Sequence, residues 1–210
     1  MKDYTLKYGK GSVTFALDEA HVAELYGTPV PKIDDIRAAL YATLSSPVSH
    51  EPLESWVNPG DKVALIVSDM SRFWMRQDLV VPHIISYLTD KCYVNQNNIT
   101  IIIANGTHPG SDENELRTLV TDGVYDRIRV VNHDCQAKDL VYIGTTSLGT
   151  EVRINPIAAN ADKVIMLGAC TYHVMAGYGG GRKSILPGIS GLETIRQNHL
   201  HSLDLLAPRS

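Results

Sequence analysis

Lys62-Val63-Ala64-Leu65-Ile66-Val67-Ser68-Asp69 is the stretch on which the reading of this chain turns. An unbroken apolar run without alternation is what a strand shows when both of its faces are buried, as in a parallel sheet covered by helices. The run opens after the turn Asn58-Pro59-Gly60-Asp61 and closes on a polar cluster, Ser68-Asp69-Met70-Ser71-Arg72. Moving outward, the same alternation recurs. Leu79 to Leu88 predicts a helix, and Ile99 to Ala104 a second buried strand that ends in Asn105-Gly106-Thr107-His108-Pro109. Ser111-Asp112-Glu113-Asn114-Glu115 marks a helix start, with Ser111 as the expected N-cap. Ile128 to Val131 reads as a third strand and Asp162 to Gly168 as another, while 140–144 and 151–154 flank a Thr/Ser/Gly turn and predict a hairpin. Toward the N-terminus, Ile33 to Leu44 has helical spacing, and residues 4–17 alternate around Gly9-Lys10-Gly11 as a β-hairpin does.

Short strands alternating with helices predict an α/β fold: a largely parallel sheet flanked by helices, with an N-terminal β-hairpin. No repeat, low-complexity segment or linker interrupts the 210 residues, which are read as a single domain, 1–210. The hydrophobic fraction of 44% suits a globular protein, and no apolar run reaches the roughly 20 residues of a membrane helix. The N-terminal residues lack a signal-peptide core, so the expected location is the cytoplasm. A net charge of -4 argues against nucleic acid as a partner. Cys92, Cys135 and Cys170 are far apart and form no CxxC pair, which indicates neither a disulfide framework nor a structural zinc site.

In parallel sheets, ligands bind beyond the carboxyl ends of the strands. Three strand ends therefore bring Asp69, Arg72, His108 and His173 to one edge. His108 and His173, each in a loop after a strand, are candidates for general acid/base work. Arg72, next to Ser71, has the planar fork that clamps a carboxylate, and Asp69 can orient Arg72 or a cofactor hydroxyl. Beyond them lies Gly177-Tyr178-Gly179-Gly180-Gly181-Arg182-Lys183-Ser184. Its glycines offer backbone to a ligand, and Lys183 can reach what that backbone cradles or act as a nucleophile. The phosphate-loop pattern fails, because Arg182 stands where glycine must precede the lysine. Of His199 and His201, one residue apart, helical geometry lets at most one face the site.

Tyr172-His173, the block Gly179-Gly180-Gly181-Arg182-Lys183-Ser184-Ile185-Leu186-Pro187-Gly188 and Asn198-His199 form a signature with Gly106-Thr107-His108, Asp69 and Arg72. It resembles the N-terminal domain of the nickel-pincer nucleotide-dependent lactate racemase family. The resemblance implies a Rossmann-like N-terminal domain of a two-domain family roughly twice this length. It also implies racemisation or epimerisation of a lactate-like 2-hydroxy acid by hydride abstraction and return. The implied cofactors are nickel and pyridinium-3,5-dithiocarboxylic acid mononucleotide. Carried over residue by residue, Lys183 would hold the cofactor covalently, with Gly179, Gly180, Gly181 and Ser184 around it and Asp69 on its ribose or a neighbouring group. His199 would ligate nickel, His108 and His173 would be the acid/base pair, and Arg72 with Ser71 would bind the substrate. The implied partners are the 2-hydroxy acid, the enzymes that make the cofactor, and a C-terminal domain or partner chain that completes the site. Two other readings stay open: a phosphate- or nucleotide-binding module without redox chemistry, and a degenerate relative that keeps the fold as a binding protein.

Overall fold

Residues 1–174 and 176–203 are described by the computed structural model, which divides into a first unit, Met1–Asp34, and a second that begins at Asp35. The first unit carries the expected hairpin. Strands β1 (Lys2–Tyr8) and β2 (Gly11–Leu17) pair antiparallel, Tyr8 opposite Gly11, with Gly9 at a φ of 58° in the turn. Alternation places Tyr4, Leu6 and Tyr8 on one face with Phe15 and Val13, and the Tyr4 and Phe15 rings stack with centroids 6.3 Å apart.

The second unit begins with α1 (Ile36–Ser45), whose first turn is capped by Asp35 accepting from the Ala38 N–H. There follow α2 (Leu53–Trp56), β3 (Val63–Ser68), α3 (Val81–Asp90), β4 (Ile99–Ala104), α4 (Glu113–Val120), α5 (Asp122–Tyr125) and β5 (Arg129–Asn132). An antiparallel hairpin, β6 (Val141–Thr145) and β7 (Glu151–Ile154), leads through α6 (Pro156–Ala159) to β8 (Lys163–Met166). The short strands β9 (Tyr172–His173) and β10 (Gly177–Tyr178) pair antiparallel before α7 (Leu192–Leu200).

Strands β5, β4, β3 and β8 form, in that order, a parallel sheet with Leu65 level with Ile101 and Ile165. The apolar run of β3 has the two buried faces that its composition implied. Val63, Leu65 and Val67 pack with Ile99, Ile101 and Ile103 against Ile84, Leu88, Leu116 and Leu119 of α3 and α4. Ala64 and Ile66 pack on the other side with Ile102, Ile154, Ala158 and Ile189. Each large apolar side chain buried in this way contributes about 1.5–3 kcal/mol. The chain winds from β3 to β4 to β5, then returns past β3 to lay down β8. The sheet therefore reverses direction between β3 and β8, and that reversal opens a crevice at the strand ends.

One expected boundary is corrected. Asp112, not Ser111, caps α4: its carboxylate accepts from Glu115 N at 2.9 Å while the Glu115 carboxylate accepts from Asp112 N. Ser111 is held instead by Asn132, which accepts from its N–H at 3.0 Å and donates to its carbonyl at 2.9 Å. His133, buried at 3% exposure, ties the end of β5 to the residues that precede α6 and α7. Its Nε2–H donates to the Ser190 carbonyl at 2.9 Å, and its Nδ1 faces the Asn155 amide at 3.4 Å.

Leu65, fully buried at the sheet centre, should lose about 2–5 kcal/mol of stability as Leu65→Ala, read as a lower denaturation midpoint at constant slope. A loss under about 1 kcal/mol would contradict the two-sided core. Burial holds the His133 pKa below its ordinary 6.5. The unfolded chain then takes up the His133 proton first, so stability should fall as pH drops below about 6.5, and His133→Gln should flatten that slope. An identical pH profile in the variant would contradict the assignment.

Candidate functional site

Three loops leave the strand ends at the crevice, and their mutual packing is what brings the candidate residues together. The loop after β4 is tied to the segment before α7 by Gly106 N donating to Gly188 O at 2.9 Å. A Cβ on Gly188 would lie 2.2 Å from the Ser184 carbonyl oxygen, so no side chain fits there. The loop after β8 packs on the glycine run: a Cβ on Gly180 would lie 2.7 Å from the Ala169 carbonyl oxygen, and Gly180 has a φ of 71°. The glycines of the run therefore let the chain pack on itself. Gly179 and Gly180 line the cavity but are pressed against their own chain, with Gly179 N donating to Thr171 O at 2.7 Å. Gly181 has open space at its Cβ position. The run leads into a 3-10 turn, Gly181–Ser184, that presents Lys183 and buries Ser184.

The resulting cavity has a volume of about 1070 Å³, and Ser71, Arg72, His108, His173, Gly179, Gly180, Lys183, Ser184 and His199 all line it. Gly181 and Asp69 are not part of its lining. Asp69 stands behind the wall at 5% exposure, with its Oδ2 2.5 Å from Nδ1 of His108 and its Oδ1 accepting from the Ser71 hydroxyl at 2.7 Å. Arg72 donates to Ser71 Oγ at 3.2 Å and lies 3.9 Å from the Asp69 carboxylate.

On the far flank, Lys183 Nζ and His173 Nε2 are 2.7 Å apart. Ala176 N donates to His173 Nδ1 at 3.3 Å, a long bond that favours the tautomer with the proton on Nε2. Lys183 Nζ stands opposite that nitrogen and, in its amine form, offers it a lone pair. Burial, then the charge of Arg72, lowers the Lys183 pKa from 10.5. His173 is lowered from 6.5 by burial and then by the charges of Lys183, Arg72 and His199. A lowered pKa favours the amine form of Lys183, which is the nucleophilic one.

Both His199 and His201 line the cavity, where helical spacing allowed one of them. Helix α7 ends at Leu200 and the backbone tightens into a 3-10 turn from His201, which changes the angle between successive side chains. His201 Nε2 is 3.0 Å from the Thr150 hydroxyl. Trp74 and Asn105 also line the cavity and were not singled out from sequence. Trp74 sits in an irregular turn without periodicity, and Asn105 is the last polar residue before a glycine turn, a position that carries no signal of its own.

A family model described as the lactate racemase N-terminal domain matches residues 8–207. The chain belongs to the lactate racemase N-terminal domain family. It is 27% identical over 208 residues to the lactate racemase of Thermoanaerobacterium thermosaccharolyticum, covering 95% of this chain and 47% of that protein. It is 28% identical over 199 residues to the lactate racemase of Lactiplantibacillus plantarum, covering 92% of this chain and 46% of that protein. The chain thus spans about half the length of the curated relatives it matches. The solved apoprotein of the Thermoanaerobacterium thermosaccharolyticum lactate racemase superposes with a TM-score of 0.78 at 25% identity, over 92% of this chain and 45% of that one. A Thermotoga maritima protein matches at a TM-score of 0.62 and 18% identity over 80% of this chain and 40% of that one, which shows the fold alone.

Lys183 should react with an amine-directed acylating reagent at a lower pH than the solvent-exposed lysines, as read by peptide mass spectrometry across a pH series. Arg72→Met should move that midpoint back up, because the Arg72 charge contributes to the lowering. A Lys183 midpoint equal to that of the exposed lysines would contradict the lowered pKa.

Proposed function

We propose that this chain holds a covalently attached nucleotide cofactor on Lys183 and uses it, in the complete enzyme, to interconvert the enantiomers of a small 2-hydroxy acid. The observation that carries the reading is the convergence of Arg72, His108, His173, Lys183 and His199 on one cavity at the switch point of the sheet. The residues present suit a metal-bearing nucleotide. No group of three or more His, Cys, Asp or Glu able to hold a metal occurs among the described residues. A metal at His199 would therefore need donors that a cofactor brings with it, as a nickel-pincer nucleotide does. The cavity volume of about 1070 Å³ accommodates a mononucleotide, and the lowered Lys183 pKa favours the amine form that covalent attachment requires. Gly179, Gly180, Gly181 and Ser184 would shape the loop that holds the cofactor beside Lys183.

Inverting a 2-hydroxy acid through a carbanion would place charge beside its carboxylate; the bound cofactor supplies a hydride acceptor and avoids this. The protein's own part is binding and proton transfer. Arg72, with Ser71 beside it, receives the carboxylate through its guanidinium fork. His108 follows β4 and His173 lies beyond β8, strands on opposite flanks of β3, which delivers Arg72. A substrate anchored at Arg72 therefore has a histidine from each flank: one takes the hydroxyl proton of one enantiomer, and the other, already protonated, gives its own proton to the enantiomer of the opposite hand. The phosphate-module reading is less well supported: the N–H groups of Gly179 and Lys183 already donate to the Thr171 and Gly180 carbonyls.

His108→Ala and His173→Ala in the cofactor-loaded complete enzyme should each lower racemisation at least about 10²-fold while the cofactor stays attached. Near-normal turnover in His108→Ala would remove it from the mechanism.

A further inference from the structure

The carboxylate of Asp69 lies behind the cavity wall, its side chain at 7% exposure while the His108 ring it touches is 51% exposed. A group so placed does not line the cavity. Ser71 Oγ donates to its Oδ1 at 2.7 Å, and the Asp69 backbone carbonyl accepts from Arg72 N at 3.1 Å, closing the turn after β3. The remaining oxygen, Oδ2, is 2.5 Å from His108 Nδ1. A carboxylate has no proton to give, so at this distance Nδ1 carries the hydrogen and donates.

We infer that Asp69 is a positioning residue, which holds His108 in the Nδ1–H tautomer and so makes Nε2 the nitrogen that exchanges protons at the cavity. This assignment replaces a ribose contact for Asp69, and its catalytic consequence rests on the function proposed above. The carboxylate does two things. It locks the ring about χ2, and it stabilises the imidazolium that forms when Nε2 takes a proton, as a buried carboxylate does behind any base histidine. Ser71 then acts through Asp69, and because Arg72 donates to Ser71, the carboxylate clamp and the proton acceptor share one hydrogen-bonded network. The positive charges of Lys183, Arg72 and His199 act on His173. His108 and His173 thus differ in their surroundings: a buried carboxylate backs the first, and positive neighbours act on the second.

The deciding experiment needs no activity. Long-range ¹H–¹⁵N spectra of the ¹⁵N-histidine-labelled protein at a pH where the ring is neutral, with His108 assigned by its loss in His108→Gln, report which ring nitrogen carries the proton. The Nδ1–H form is expected in the wild-type protein, and a switch to the Nε2–H form, preferred by free imidazole side chains, in Asp69→Ala. An Nε2–H ring in the wild type, or an unchanged tautomer in Asp69→Ala, would overturn the proposal. The wild-type result decides even if the variant fails to fold. In the complete loaded enzyme, Asp69→Asn should lower kcat at least about 10²-fold with unchanged cofactor content and little change in KM. An Asp69→Asn enzyme with normal kcat would overturn the catalytic role while leaving the function itself standing. Absence of racemisation in the wild-type loaded enzyme would count against that function and not against the tautomer assignment.

Discussion

Backbone pressed on backbone is the constraint from which the site follows. The Gly188 and Gly180 positions admit no Cβ, because the Ser184 and Ala169 carbonyls lie 2.2 and 2.7 Å from where one would stand. At these two contacts, the segment carrying Lys183 is seated against itself and against the loop after β8, while Gly106 ties it to the loop carrying His108. Residues separated by more than seventy positions in sequence come to share one cavity because small residues let three loops close over a sheet switch point. The sheet supplies the rigidity. Two-sided packing of β3 and β4 fixes the level at which each loop begins, so the placement of the side chains follows from the core.

Electrostatics then divides the cavity. On one side a buried carboxylate backs His108; on the other, burial and positive neighbours keep Lys183 and His173 toward their neutral forms. This division suits the function proposed for the site, which asks it to bind an anion and move protons. Arg72 lies at the division. It contacts the Ser71–Asp69 pair, and its charge lowers the pKa of both Lys183 and His173.

Much of this was legible in the amino-acid order, and the reasons are local. The apolar runs at 63–67 and, interrupted by Thr100, at 99–104 read as strands covered on both sides, which puts the polar residues that follow them at strand ends. Hence Asp69, Arg72 and His108 could be placed at one edge from sequence alone. The features that escaped depend on partners distant in sequence or on backbone geometry without a period. Asp112 displaced Ser111 as the cap because Asn132, twenty-one positions away, takes both backbone groups of Ser111. His201 joined His199 because a helix tightened at its last turn. The pairing of Asp69 with His108 crosses two strands, and no spacing rule reports it. The glycine run was read as a surface for a ligand, yet half of its purpose is to let the chain touch itself.

The central claim is that Lys183 carries a metal-bearing nucleotide. The most direct test is the intact mass and nickel content of the protein, in its complete form, after co-expression with the enzymes that make the cofactor. The account predicts a mass increment that maps to Lys183 and about one nickel per chain, both lost in Lys183→Ala. No increment and no nickel under those conditions, with the fold intact, would contradict it.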